Sequence, residues 1–339
     1  MFGIELSELF LFLRQTGLAL AGAASLWGFV FLVWSRHDHH SQSCVVHEWL
    51  GAKLLPLFFA GVATALFAWL ALSSVNPALA HEGIVLPVTL GHVALGLETA
   101  APFMLLWGLT LIGGLLFRLF APRFFQKNLE WFYALQLGFV ALLMMLFSWG
   151  GEMGREQAFF WGHSLHSILT LGTVLVLDFL FLTSQSSAIL KQHVYPLFPA
   201  ISKVIWVGLG IDFLSVALVF GEAVALTPKF FFMQTVIAVL IINGSLLAGP
   251  ITRRMVSSVK EGGKKLSGAW ERIGDVSGVI SISSWGTITL VDSFSNLQLS
   301  YLQLLGAYFL LVSVLYLGHA LVKRLERQPP AFLAAYGGA

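Results

Sequence analysis

WGHSLHSILTLGTVLVLDFLFL, residues 161–182, is apolar over the length a helix needs to cross a bilayer, yet it carries His163, His166 and Asp178. About 20 residues rising 1.5 Å each span the roughly 30 Å hydrocarbon layer. Ionisable groups are costly there, so they are expected to face the interior of a bundle, where they mark a site. Comparable runs recur near 9–34, 52–74, 92–118, 130–149, 202–224, 230–252 and 299–321. With the opening stretch they predict an all-α, polytopic membrane bundle of about eight transmembrane helices.

Composition agrees: 57% of residues are hydrophobic and only 11% charged, with a mean hydropathy of +0.83, against about a quarter charged in soluble domains. The runs are continuous rather than alternating, which argues against a β-barrel. The expected partner is the lipid bilayer. No Gly-rich phosphate loop or nucleophile elbow occurs, and the basic residues follow loop topology rather than forming a nucleic-acid surface. The single cysteine, Cys44, excludes an internal disulfide.

Glu5 and Glu8 stand where a secretory leader would be basic, so the first span is expected to be retained. Thirteen of the nineteen Lys and Arg residues fall on the side holding loops 35–51, 119–129, 185–201 and 253–298. The positive-inside rule makes that side cytoplasmic and sets both termini outside a bacterial inner membrane. The basic run LVKRLER (321–327) opposes this parity. Within the last loop, VSGVISISSWGTITLV (276–291) alternates Ile280, Ile282, Ile288 and Leu290 with Ser and Thr around a Ser-Trp-Gly turn. Period two predicts a short cytoplasmic β-hairpin near 279–291. A 150-residue offset aligning 18–34 with 168–184 suggests two four-helix units, 1–150 and 151–339, the second including loop 253–298. Gly17, Ala21 and Ala24, with Gly61 and Ala65, predict close packing of the first two spans.

On a helical wheel His163, His166, Ser167, Thr170, Thr173 and Asp178 share one face. Asp178 lies about 18 Å along the axis from His166, so two levels are expected. In an eight-span arrangement His92, His163, His166 and His319 share the outer leaflet with Arg14, Glu98 and Glu222. Two such imidazoles could ligate haem b axially, with Arg14 pairing a propionate, or His92, His163 and His166 could hold a copper or other transition-metal ion. On the cytoplasmic side, Asp178, Asp212 and Asn243 could share a proton or hold a cation. With Glu98 and Glu222 they would form an ion or proton pathway, or they serve only as an interhelical clamp. SRHDHHSQSCVVHEW (35–49) collects His37, His39, His40 and His47 without a zinc-ligand spacing, and reads as a solvated loop.

HSILTLGTVLVLDFLFL (166–182), ISKVIWVGLGIDFLSVALV (201–219) and KFFFMQTVIAVLIINGSLL (229–247) together resemble the four-helix membrane unit of copper-resistance D-like proteins and related haem-binding bundles. The resemblance, over 163–252, implies metal or haem handling in an inner membrane, with His166 and His163 at ligand-like positions. Leu171-Gly172-Thr173 departs from the Trp-x-Gly-Gly-like element of such units, and Thr16 occupies the place matching His166 in the first half. Three roles follow as expectations: metal or haem binding for electron transfer or metal transport, with a redox or transport partner in the membrane; ion- or proton-coupled transport; or a structural subunit. No enzymatic activity is legible.

Overall fold

A chain this apolar can enter lipid only if each segment satisfies its own backbone N–H and C=O groups. The computed structural model describes residues 6–37, 41–75, 94–147, 155–184, 188–219, 227–261, 268–294 and 297–326, and among them it is helical nearly throughout, with no strand. The helices are α1 (Leu6–His37), α2 (Ser41–Val75), α3 (Ala94–Phe120), α4 (Pro122–Lys127), α5 (Leu129–Phe147), α6 (Arg155–Ser167), α7 (Thr173–Ser184), α8 (Ala188–Val194), α9 (Phe198–Val219), α10 (Pro228–Leu246), α11 (Thr252–Lys260), α12 (Gly268–Ser293) and α13 (Tyr301–Glu326). π-helical turns at Ile168–Gly172 and Leu247–Ile251 join α6 to α7 and α10 to α11. Eight stretches are long and apolar enough to cross a membrane, from Leu6–His37 to Tyr301–Leu321, and they coincide with the eight expected spans. The chain is thus a multi-pass membrane protein in contact with lipid.

α1 lies at the centre. A Cβ added to Gly17 would stand 2.6 Å from the Gly61 carbonyl oxygen, and one on Gly61 would stand 2.7 Å from the Gly17 carbonyl oxygen. The backbones of α1 and α2 therefore touch, as the small-residue pattern predicts. On its other flank α1 receives the π turn at Ile168–Gly172, because Gly172 has no side chain to collide with the Ala19 carbonyl. Three buried contacts pair polar groups between helices: the Tyr133 hydroxyl donates to the Gly51 carbonyl at 2.8 Å, Trp107 Nε1 to Gln136 Oε1 at 2.8 Å, and Trp27 Nε1 to Thr173 Oγ1 at 3.2 Å.

The expected hairpin near 279–291 does not form. Those residues belong to α12, a 26-residue helix. The alternation of Ile with Ser reads as period two, but a helix buries the same serines without penalty. Ser283 and Ser284 donate back to the carbonyls of Val279 and Ile280, each at 2.7 Å, and Ser284 also pairs with the Tyr308 hydroxyl. A hairpin would have left its edges open.

α12 also runs the depth of the bundle. It lies antiparallel to α10, from Asn243, whose amide donates to the Ser277 carbonyl at 2.8 Å, to Lys229, which donates to the Asp292 carbonyl at 3.3 Å. α13 then returns beside it, with Thr235 near Tyr301 at one end and His319 near Asp275 at the other. α1 accordingly begins, and α13 ends, at opposite ends of the bundle.

Two outcomes are expected. In a Cys44→Ser background, an impermeant maleimide labels Glu261→Cys and Gln298→Cys from opposite faces of sealed vesicles; labelling from one face would restore the hairpin topology. Gly61→Leu, which forces α1 and α2 apart, destabilises the protein by about 3 kcal/mol in detergent-solubilised thermal unfolding.

Candidate functional site

α6 and α9 cross the layer antiparallel, and two glycines set their register. Gly162 packs against the Ser215 side chain, and Gly208 against Leu169 and Thr170. Between these contacts Asp212 faces the two histidines of α6. Asp212 Oδ1 accepts from His163 Nδ1 at 3.0 Å and lies 3.5 Å from His166 Nδ1. The imidazoles are one helical step apart, with ring centroids at 4.7 Å. On the far side of His163, α12 supplies Asp292, whose Oδ2 accepts from Nε2 at 3.3 Å. Each ring nitrogen of His163 therefore faces a carboxylate oxygen, Nδ1 that of α9 and Nε2 that of α12.

Lys229 closes the group. Thr227 caps α10 by accepting from the Phe230 N–H at 3.1 Å, and Pro228 occupies the first turn, which fixes where the helix starts. Lys229 Nζ then donates to the carbonyls of Asp292 and Phe294 at 3.3 and 2.7 Å, and lies within electrostatic reach of the Asp292 carboxylate and of Glu8 in α1. From α1, Gln15 Nε2 donates to Ser167 Oγ at 3.5 Å. Five elements thus converge at one end of the bundle. The group is mostly buried: the side chains of His166, Asp212, His163 and Asp292 are 12%, 17%, 23% and 27% exposed.

One ligand atom from each of His163, His166 and Asp212 falls within 4.8 Å of the others, a spacing that suits a single metal ion. His166 Nδ1 is buried and makes no hydrogen bond. Of the expected histidine ligands, His163 and His166 stand side by side on one helix, and His319 lies beside Asp275 at the opposite end of the bundle.

The other expected site residues separate. Asp212 does not join Asp178 and Asn243, because the register that seats it beside His163 leaves Asp178 midway along α7, about three turns beyond His166. Asp178 Oδ2 is buried without a hydrogen-bond partner among the described residues, while Asn243 is spent on the Ser277 carbonyl as an α10–α12 clamp. His319 lies 3.3 Å from Asp275, away from the outer group, since the crossing of α12 inverts α13. Arg14 is buried with its guanidinium 4.5 Å from the centre of the Phe147 ring, at the same end as the site. His92 and Glu222 lie outside the described residues, as does the side chain of Glu98. The hydroxyls of Ser167 and Thr170 bond back to the carbonyls of His163 and His166.

Asp292 and Lys229 are additions that sequence reasoning missed. A helical reading of 276–291 would have carried Asp292 to the level of His163, and Thr227-Pro228 is a legible helix start that puts Lys229 at the same edge. No family model, no curated protein and no solved structure matches this chain.

Removing one member of a mostly buried charge group strands the rest. Asp212→Ala is expected to cost about 3 kcal/mol in thermal unfolding, and the double replacement His163→Leu/Asp212→Leu to recover part of that loss.

Proposed function

We propose that this multi-pass membrane protein holds a divalent transition-metal ion between His163, His166 and Asp212, in the service of metal transport. The observation that supports this reading is the shared carboxylate oxygen, 3.0 and 3.5 Å from the two Nδ1 atoms. Ligands about 2.0–2.1 Å from a tetrahedral ion stand roughly 3.3 Å apart. Imidazole and carboxylate suit zinc, copper or cobalt, and three protein ligands leave a coordination position open for exchange. Asp292 on Nε2 is the partner a ligating histidine ordinarily has: it holds the proton on Nε2 and the ring in place, and keeps Nδ1 as the metal-side nitrogen. The ion would be cargo, and partial exposure of the site admits it from one face.

Titration of the purified, detergent-solubilised protein with Zn²⁺, and with Co²⁺ for its four-coordinate visible bands, tests the reading. Saturable one-site binding is expected, lost in His166→Ala and Asp212→Asn, and weakened about tenfold to hundredfold in Asp292→Asn. No binding by the native protein, or equal binding by the His166 and Asp212 variants, overturns it. A Soret band that shifts with dithionite and vanishes in His166→Ala would favour haem instead.

A second reading has its own observation. Asp212, His163, Asp292 and Lys229 alternate acidic and basic groups across α9, α6, α12 and α10, a chain suited to handing a proton between helices. Ion- or proton-coupled flux that is abolished by Asp292→Asn in the absence of any metal would favour it.

A further inference from the structure

At the end of the bundle opposite the histidines, the last turn of α1, the first turns of α2, the short α4 and the start of α5 enclose a cleft of about 650 Å³. Its composition is divided. Leu32, Val45, Trp49 and Leu129 give it apolar walls, while Arg36, Arg123 and Lys127 stand at its rim with Glu48 and Glu130. Arg36 is already committed: its guanidinium is 2.6 Å from Glu130, whose side chain is 7% exposed, and it donates to the Lys127 carbonyl at 3.5 Å. That contact ties α1 to the α4–α5 corner. Arg123 and Lys127 are exposed, and with Glu48 as the remaining acid the rim keeps an excess of positive charge.

The surroundings say what kind of anion fits. α4 follows α3 directly, and Phe120 and Phe124 beside it are 83% and 57% exposed, as are Phe117 and Leu119 on α3 at 53% and 72%. Aromatic rings next to basic residues at the end of a membrane helix occupy the headgroup level, with the apolar face continuing toward the acyl chains. Trp49, beneath Lys53 at 5.3 Å, is the same arrangement on the opposite wall. A free phosphate would meet the basic rim alone and leave the apolar walls wet. An anionic phospholipid fills both, since its headgroup phosphate meets Arg123 and Lys127 while its apolar part lies against Val45, Trp49 and Leu129.

We infer that this cleft is a binding site for an anionic phospholipid, with Arg123 and Lys127 receiving the phosphodiester and Trp49, Val45 and Leu129 lining the apolar part. Basic pockets between membrane helices take such headgroups by charge, at a worth of about one surface charge each. The site is separate from the histidine group and stands whether or not that group binds metal.

The test uses the full chain in neutral detergent. Phosphatidylglycerol is expected to bind saturably, seen as retained lipid in native mass spectrometry and as a raised Tm. Arg123→Gln/Lys127→Gln should weaken that binding about thirtyfold, the product of two such charges. Lys127→Glu alone should weaken it too, and both substitutions fall on exposed side chains. Phosphatidylcholine and inorganic phosphate should leave the protein unchanged. Equal binding of phosphatidylcholine, an undiminished response in the double variant, or a full response to inorganic phosphate would each overturn the proposal.

Discussion

Contact between bare backbones along α1 is the constraint on which the rest of the structure depends. Gly17 against Gly61, and Ala19 against Gly172, bring three helices closer than any side chain would allow. In lipid there is no hydrophobic gain from burying one apolar helix against another, so association rests on packing, and packing is best where backbones meet. Seating α1 this deeply has a second effect: its polar end, with Glu8, Arg14 and Gln15, is carried inside the bundle beside α6, α10 and α12 rather than left at the lipid face.

The histidine group follows from that placement and from the register of α6 on α9. Buried carboxylates are tolerated there because each faces an imidazole or an ammonium from another helix. The π turn directly after Ser167 belongs to the same design. Thr173 donates to the Ile168 carbonyl, five residues back, at 3.1 Å, and the widened turn lets Gly172 reach Ala19 while the histidines stay aimed at α9. Such turns often mark functional segments of a helix.

The two ends of the bundle differ in kind. At one, charged groups are drawn inward and paired across helices; at the other, basic residues stay at the rim of an open cleft among exposed aromatics. Burying charge and displaying it make opposite demands on the helices that carry it, and the two ends of the bundle divide those demands.

Much of this was legible in the chain itself. Continuous apolar runs set the helical class and the eight spans, because lipid admits no other way of satisfying so much backbone. The small residues marked the α1–α2 contact, and the depth difference along 161–182 correctly separated His163 and His166 from Asp178. Tertiary structure alone decided the rest. Whether 276–291 alternates as a strand or winds as a helix turns on hydroxyl back-bonding and on Tyr308, which no window of sequence contains; with it went the direction of α13 and the place of His319. Which carboxylate meets His163 depended on the slide of α9 along α6, set by the contacts of Gly162 and Gly208. Asp292 reaches His163 from 129 residues away, and only the crossing of α12 brings it there.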